Sequence, residues 1–195
     1  MNIKPEKTAI SNGVSTSCKL LINELKDNKD VHILDYGCGK LRNTKFIINN
    51  NIKISIVDTK YQIEKNKDEI LKLNIDSVFD TNTINFNKKY DAILLSFVLN
   101  VIPTFDERQS ILSNIHKLTK DDGFIYIEVR DRSFVKNLKH KEIYNDGLVI
   151  GNSKEKTFQK PFTSTELSEL LTENHFEIIY IKKKSGSIIA KVKPI

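Results

Sequence analysis

Cysteine is scarce in this chain: Cys18 and Cys38 are the only two in 195 residues. Their spacing fits neither a zinc site nor a redox pair, which argues against a disulfide framework. No group of His, Cys and Asp stands at ligand spacing either, so no metal is expected. Apolar runs stay well short of the roughly 18 residues that cross a bilayer, and the polar stretch from Met1 to Ile10 is unlike a signal peptide. A cytoplasmic protein without a membrane partner is therefore expected. Arginine is rare as well: Arg42, Arg108, Arg130 and Arg132 are the full set, so lysine carries nearly all of the net charge of +6. Such a charge can mark a nucleic-acid binder, but its makeup fits a solvated lysine surface better.

With 39% hydrophobic and 29% charged residues, the chain has the composition of one globular domain, 1–195. Apolar patterning alternates between helical and strand periods without repeats, which predicts an α/β fold with a mostly parallel sheet covered on both faces. Helices are predicted at Val14–Lys26, Leu41–Asn50, Tyr61–Leu73, Phe105–Thr119 and Thr163–Glu173, the last opened by a capping box from Thr163 to Glu166. Strands are predicted at Val31–Asp35, Ile52–Val57, Ser77–Phe79, Tyr90–Phe97, Phe124–Val129, Phe176–Lys184 and Ser187–Lys193, with the last two joined at Ser185–Gly186. Periodicity disappears from Arg130 to Lys160. A segment that long without a pattern reads as a lid or substrate insertion, set at 130–162. Residues 1–20 read as an N-terminal cap.

The chemistry concentrates at Ile33-Leu34-Asp35-Tyr36-Gly37-Cys38-Gly39. Here a carboxylate and two glycines follow the first strand, at the sheet edge where open α/β folds bind ligands. The glycines let a ligand lie against bare backbone, and Asp35 offers an acceptor to a cationic group. Asp58 ends the second strand, where a carboxylate takes both hydroxyls of a ribose. Asp80 ends the third, where it can accept from an adenine amino group. A nicotinamide dinucleotide is the competing ligand. Its fingerprint needs a third glycine three residues after Gly39, where this chain has Arg42, and Asp35 would repel its phosphates. A ligand with an ammonium group and no phosphate suits these residues better.

On these residues the chain resembles the class I S-adenosylmethionine-dependent methyltransferases over almost its whole length. The resemblance implies a Rossmann-like, doubly wound seven-stranded sheet of order 3-2-1-4-5-7-6, with strand 7 antiparallel. It implies S-adenosyl-L-methionine as cofactor, giving S-adenosyl-L-homocysteine. Asp35, Gly37, Cys38 and Gly39 would hold the methionine end, Asp58 and Thr59 the ribose, and Asp80 and Thr81 the adenine, with Ser96 beside them. Leu41 departs from the family, many of whose members have a third glycine there. Lys7–Ser11, Asp35–Gly39, Val98–Pro103 and Thr157–Thr163 also resemble methyltransferases encoded beside DNA phosphorothioation systems.

On the substrate side, amino-methylating nucleic-acid enzymes carry an Asp/Asn-Pro-Pro-aromatic turn after the fourth strand. Ser96-Phe97-Val98-Leu99-Asn100 stands there instead, which disfavours that route. Asn100 and Gln159 are the candidate catalytic residues, able to orient an acceptor by hydrogen bonds; Asn100 can equally be a turn cap. Lys7, Thr8, Arg130, Tyr144, Phe158 and Phe162 are the candidate substrate contacts. Arg130 either attracts an anionic substrate or pairs with Glu128. None of His32, His116, His140 and His175 stands where a convincing base would. The acceptor is a small molecule or a nucleic-acid component, and the protein a monomer or weak homodimer. A non-catalytic module that binds an adenosyl ligand and regulates a partner is the alternative.

Overall fold

The computed structural model describes residues 3, 13–25, 27–28, 30–136, 141–151, 156–184 and 186–195. Lys7, Thr8, His140 and Ser185 lie outside these, as does most of the expected N-terminal cap.

Five strands come first: β1 (His32–Tyr36), β2 (Lys53–Asp58), β3 (Ser77–Asp80), β4 (Tyr90–Ser96) and β5 (Thr119–Arg130). Three short ones follow, β6 (Lys141–Tyr144), β7 (Gly147–Gly151) and β8 (Lys156–Gln159), and then β9 (Phe176–Lys184) and β10 (Ser187–Pro194). The main sheet runs β3-β2-β1-β4-β5-β10-β9. Its first five strands pair in parallel, and β10 is antiparallel to both β5 and β9. This is the Rossmann-like order expected, with the last strand inserted before the sixth.

Successive strand residues point to opposite faces, and here both faces are dry. Ile33, Ile54, Ile56 and Leu94 pack with Leu21 of α1 (Thr16–Glu24) and Ile47 of α2 (Arg42–Asn49). Leu34, Val57, Ile93, Leu95 and Ile127 pack on the other face with Leu112 and Ile115 of α5 (Phe105–Leu118) and Leu167 and Leu171 of α7 (Ser164–Glu173). Each such fully buried side chain contributes about 1.5–3 kcal/mol. The continuous apolar runs in the sequence follow from this double burial.

Local signals set several boundaries. The Ser15 side chain caps α1 by accepting from the Cys18 N–H. The Thr163–Glu166 capping box opens α7 as expected.

Two expectations change. The single helix expected over Tyr61–Leu73 is two short ones, α3 (Lys60–Lys65) and α4 (Lys67–Ile70). Asn66 interrupts them at φ −99°, ψ 7°, and its amide donates to the Gly39 carbonyl at 2.7 Å and to the Gln62 carbonyl at 2.9 Å. The segment from Arg130 to Lys160 is not patternless either: it holds α6 (Arg132–Lys136) and an antiparallel sheet β6-β7-β8. Its strands have four or five residues and an exposed face. Only Val149 and Phe158 are deeply buried among their large apolar side chains, so little alternation is left to read.

Candidate functional site

The turn after β1 is tied down by its backbone. Gly37, at φ +82°, approaches Val98 so closely that an added Cβ would lie 2.3 Å from Val98 Cγ2. Gly37 and Cys38 donate their N–H groups to the Val57 carbonyl at 2.7 and 3.3 Å. Gly39 has φ +52° and donates its N–H to Asp58 Oδ2 at 2.7 Å. Leu41 takes a left-handed conformation, φ 59° and ψ 18°, while its side chain is fully buried. Left-handed backbone costs a non-glycine residue roughly 1–2 kcal/mol, less than the roughly 2–5 kcal/mol at stake in a buried leucine. The loop therefore turns left-handed at Leu41 without a glycine.

Around this turn lies a cavity of about 180 Å³. The expected residues Gly37, Cys38, Gly39, Asp58, Thr59, Thr81, Ser96, Asn100, Arg130 and Gln159 all line it. Asp58 accepts a second backbone bond at Oδ1, from Thr59 at 2.7 Å. Burial raises its pKa against the pull of these two N–H donors.

Asp35 lies behind the lining rather than in it. It is buried, with Oδ2 accepting from the Thr44 hydroxyl at 2.7 Å and Oδ1 buried without a partner. Burial lifts its pKa to about 6; Thr44 and the positive charge of Arg42 oppose the rise, and the charge of Asp58 adds to it.

Asp80 is not part of the lining. Its Oδ1 accepts from the Asn82 N–H at 2.7 Å and closes its own turn. Thr81 lines the cavity in its place, with its N–H donated to the Asp58 carbonyl. The three expected aromatic contacts are also elsewhere. Phe158 is fully buried over Gly147, where a Cβ would meet its ring at 2.4 Å. Tyr144 packs edge-on against Phe158, and Phe162 belongs to the main core. Two of these rings are thus used inside the small sheet and the third in the main core.

The cavity's aromatic lining comes from Phe97 and Phe134, along with Tyr36. Phe97 is left-handed at φ 60°, which turns the chain sharply as it leaves β4. The Arg130 guanidinium lies 4.0 Å from the Phe97 ring centroid and 4.3 Å from that of Phe134. Glu128 is buried and already accepts from the Ser17 N–H at 2.7 Å and the Ser187 hydroxyl at 3.0 Å. Among the described residues it makes no ion pair with Arg130.

Asn100 and Gln159 meet across the domain. Asn100, in a short 3-10 turn at Leu99–Val101, donates its amide to Gln159 Oε1 at 2.9 Å and leaves its own Oδ1 buried without a partner. A bond from the Lys160 N–H to the Asn100 carbonyl, 2.7 Å, holds β8 against this turn. Ser96 joins a hydroxyl cluster with Ser15 and Ser17, at 3.0 and 2.7 Å.

A family model described as a methyltransferase domain matches residues 13–181. The uncharacterized protein YmfD of Escherichia coli K12 is 27% identical over 174 residues, covering 82% of this chain and 78% of YmfD. Among solved structures, an S-adenosylmethionine-dependent methyltransferase from Clostridium acetobutylicum superposes with a TM-score of 0.72 at 12% identity, covering 91% of this chain and 90% of that one. The 1,6-didemethyltoxoflavin-N1-methyltransferase of Burkholderia thailandensis, with 1,6-didemethyltoxoflavin and S-adenosylhomocysteine bound, gives 0.67 at 20% identity, covering 92% and 77%.

Proposed function

Since the chain belongs to the methyltransferase domain family, we propose that it binds S-adenosyl-L-methionine in this cavity and methylates a small-molecule acceptor. When bound, the sulfonium supplies an electrophilic methyl group and leaves as S-adenosyl-L-homocysteine. The observation that carries the reading is the buried Asp35 carboxylate with an unpartnered oxygen behind the glycine turn. An ionised carboxylate in such a place needs positive charge nearby; Arg42 supplies part of it, and an ammonium held at the glycine turn in front of Asp35 adds to it.

Asp58 holds the ribose, its two oxygens kept in place by the Gly39 and Thr59 N–H groups. Bare backbone at Gly37 and Gly39 gives the ligand a close approach. Asn100 and Gln159 orient the acceptor, the free Asn100 Oδ1 accepting from the group to be methylated. Positioning of this kind can supply much of the acceleration in methyl transfer, and no dedicated base is required. The acceptor's proton leaves to solvent.

A small acceptor is supported by the modest cavity and by the surface charge. Several lysines are spent on carboxylates, as in Lys45–Glu69, Lys53–Asp76, Lys120–Asp91 and Lys193–Glu177, rather than gathered as a phosphate track. Kinship with methyltransferases of DNA phosphorothioation loci would assign the enzyme to modification or defence. A cytoplasmic location fits the absence, among the described residues, of any helix long and apolar enough to span a membrane.

Thermal unfolding with S-adenosyl-L-homocysteine tests the reading. A ligand at about 100 times its Kd stabilises by about 2.7 kcal/mol, which should raise the Tm by roughly 5–10 °C in a chain of this size. A Tm unmoved at millimolar ligand would refute it.

A further inference from the structure

Arg130 is held in an unusual way for a cation beside a cavity. Both nearby rings, Phe97 at 4.0 Å and Phe134 at 4.3 Å, lie close enough to stack on the guanidinium. Stacking engages the faces of a guanidinium and leaves its in-plane N–H groups available, and these are the donors that match a carboxylate two at a time. The counter-charge on its own strand, Glu128, is committed to Ser17 and Ser187. Among the described residues no carboxylate forms an ion pair with Arg130. Burial lowers its pKa, Glu128 pulls it back up without forming an ion pair, and the like charge of Arg42 lowers it further, yet an arginine stays charged in any protein. The fold thus keeps a partly desolvated cation, oriented by two phenyl rings, at the edge of the cavity that also contains Asn100 and Gln159.

We propose that the methyl acceptor is a small organic carboxylate, its acid group paired with Arg130 and its apolar body lying against Phe97, Phe134, Val101 and Ile102. This rests on the methyltransferase reading above and deepens it by naming the acceptor's class. Two features of the site agree with it. Val101 and Ile102 line the same cavity and offer an apolar wall, while the amide pair gives the rest of the acceptor a polar anchor.

The test uses benzoate and its neutral counterpart benzamide, titrated by calorimetry into protein saturated with S-adenosyl-L-homocysteine. Benzoate should bind at least about tenfold more tightly than benzamide, a difference of about 1.4 kcal/mol. Arg130→Met should erase that preference while leaving the affinity for S-adenosyl-L-homocysteine within about threefold of wild type; retained affinity also shows that the variant is folded. Arg130→Lys, which keeps charge but loses the planar fork, should keep only part of the preference. Equal binding of acid and amide, binding of neither, or a preference that survives Arg130→Met overturns the proposal. So does a large loss of S-adenosyl-L-homocysteine affinity in Arg130→Met, which would assign the arginine to that ligand's own carboxylate. A wild-type protein that fails to bind S-adenosyl-L-homocysteine overturns the underlying reading instead, and the inference with it.

Discussion

Asp35 carries two conflicting demands. One oxygen is satisfied by Thr44 while the other is buried and unpaired, and burial holds the carboxyl pKa at about 6. A carboxylate whose folded pKa lies above its unfolded value favours the fold at acid pH; that contribution fades as pH rises through about 6. At neutral pH the ligand-free protein is therefore held below its possible stability. Asp35→Asn should raise the unfolding free energy at about pH 8 by roughly 2 kcal/mol, with the gain disappearing by about pH 4. Calorimetric unfolding at both pH values reads this directly. The same variant should bind S-adenosyl-L-homocysteine about tenfold more weakly, because a negative charge that complements the ligand's ammonium from behind the glycine turn is lost. Asp35 and Asp58 stand out in the sequence because an acid at the end of a strand is a local pattern, sharpened at Asp35 by the glycines that follow it; of the two, Asp58 lines the cavity and Asp35 lies behind it. Asp80 had the same signature, yet its side chain serves its own turn. Phe97 and Phe134 left no signal, because only the path of the chain after β4 and through α6 aims them at Arg130.

At the scale of elements, the three-stranded sheet is fastened to the domain by charge. Arg108 on α5 is 1% exposed, pairs with Asp146 in the β6–β7 turn, and donates to the Ile102 carbonyl at 2.7 Å. Lys160 reaches Asp146 at 3.2 Å and Glu166 at 3.6 Å. Asp146→Asn leaves the buried guanidinium without its counter-ion, a loss of about 2 kcal/mol or more. Hydrogen exchange across 141–151 and 156–159 should accelerate while β1 and β4 stay protected. Uniform loosening of the whole chain would show that the small sheet is not a separately anchored unit. None of this could be read from the sequence: the partners are 38 positions apart, and the short strands offer too few buried positions to form a pattern. The long central strands were plain because burial on both faces leaves an unbroken apolar run.

For the molecule as a whole, the order β3-β2-β1-β4-β5-β10-β9 brings the ends of β1, β2 and β4 to one edge. Asp58 and Asp80 stand opposite each other in register there, which brings Thr81, the residue after Asp80, to the cavity beside Asp58. That edge followed from the alternation of strands and helices, whereas the acceptor side depends on how the 130–162 segment folds back. We propose that this edge takes an adenosyl ligand bearing an ammonium group and no phosphate. This is tested most directly by titrating the folded protein with S-adenosyl-L-homocysteine and, separately, with NAD in a calorimeter. Saturable micromolar binding of the first and no heat from the second are expected, because Asp35 repels a pyrophosphate and Arg42 stands where a dinucleotide fold needs glycine. Binding of NAD with none of S-adenosyl-L-homocysteine would contradict the proposal.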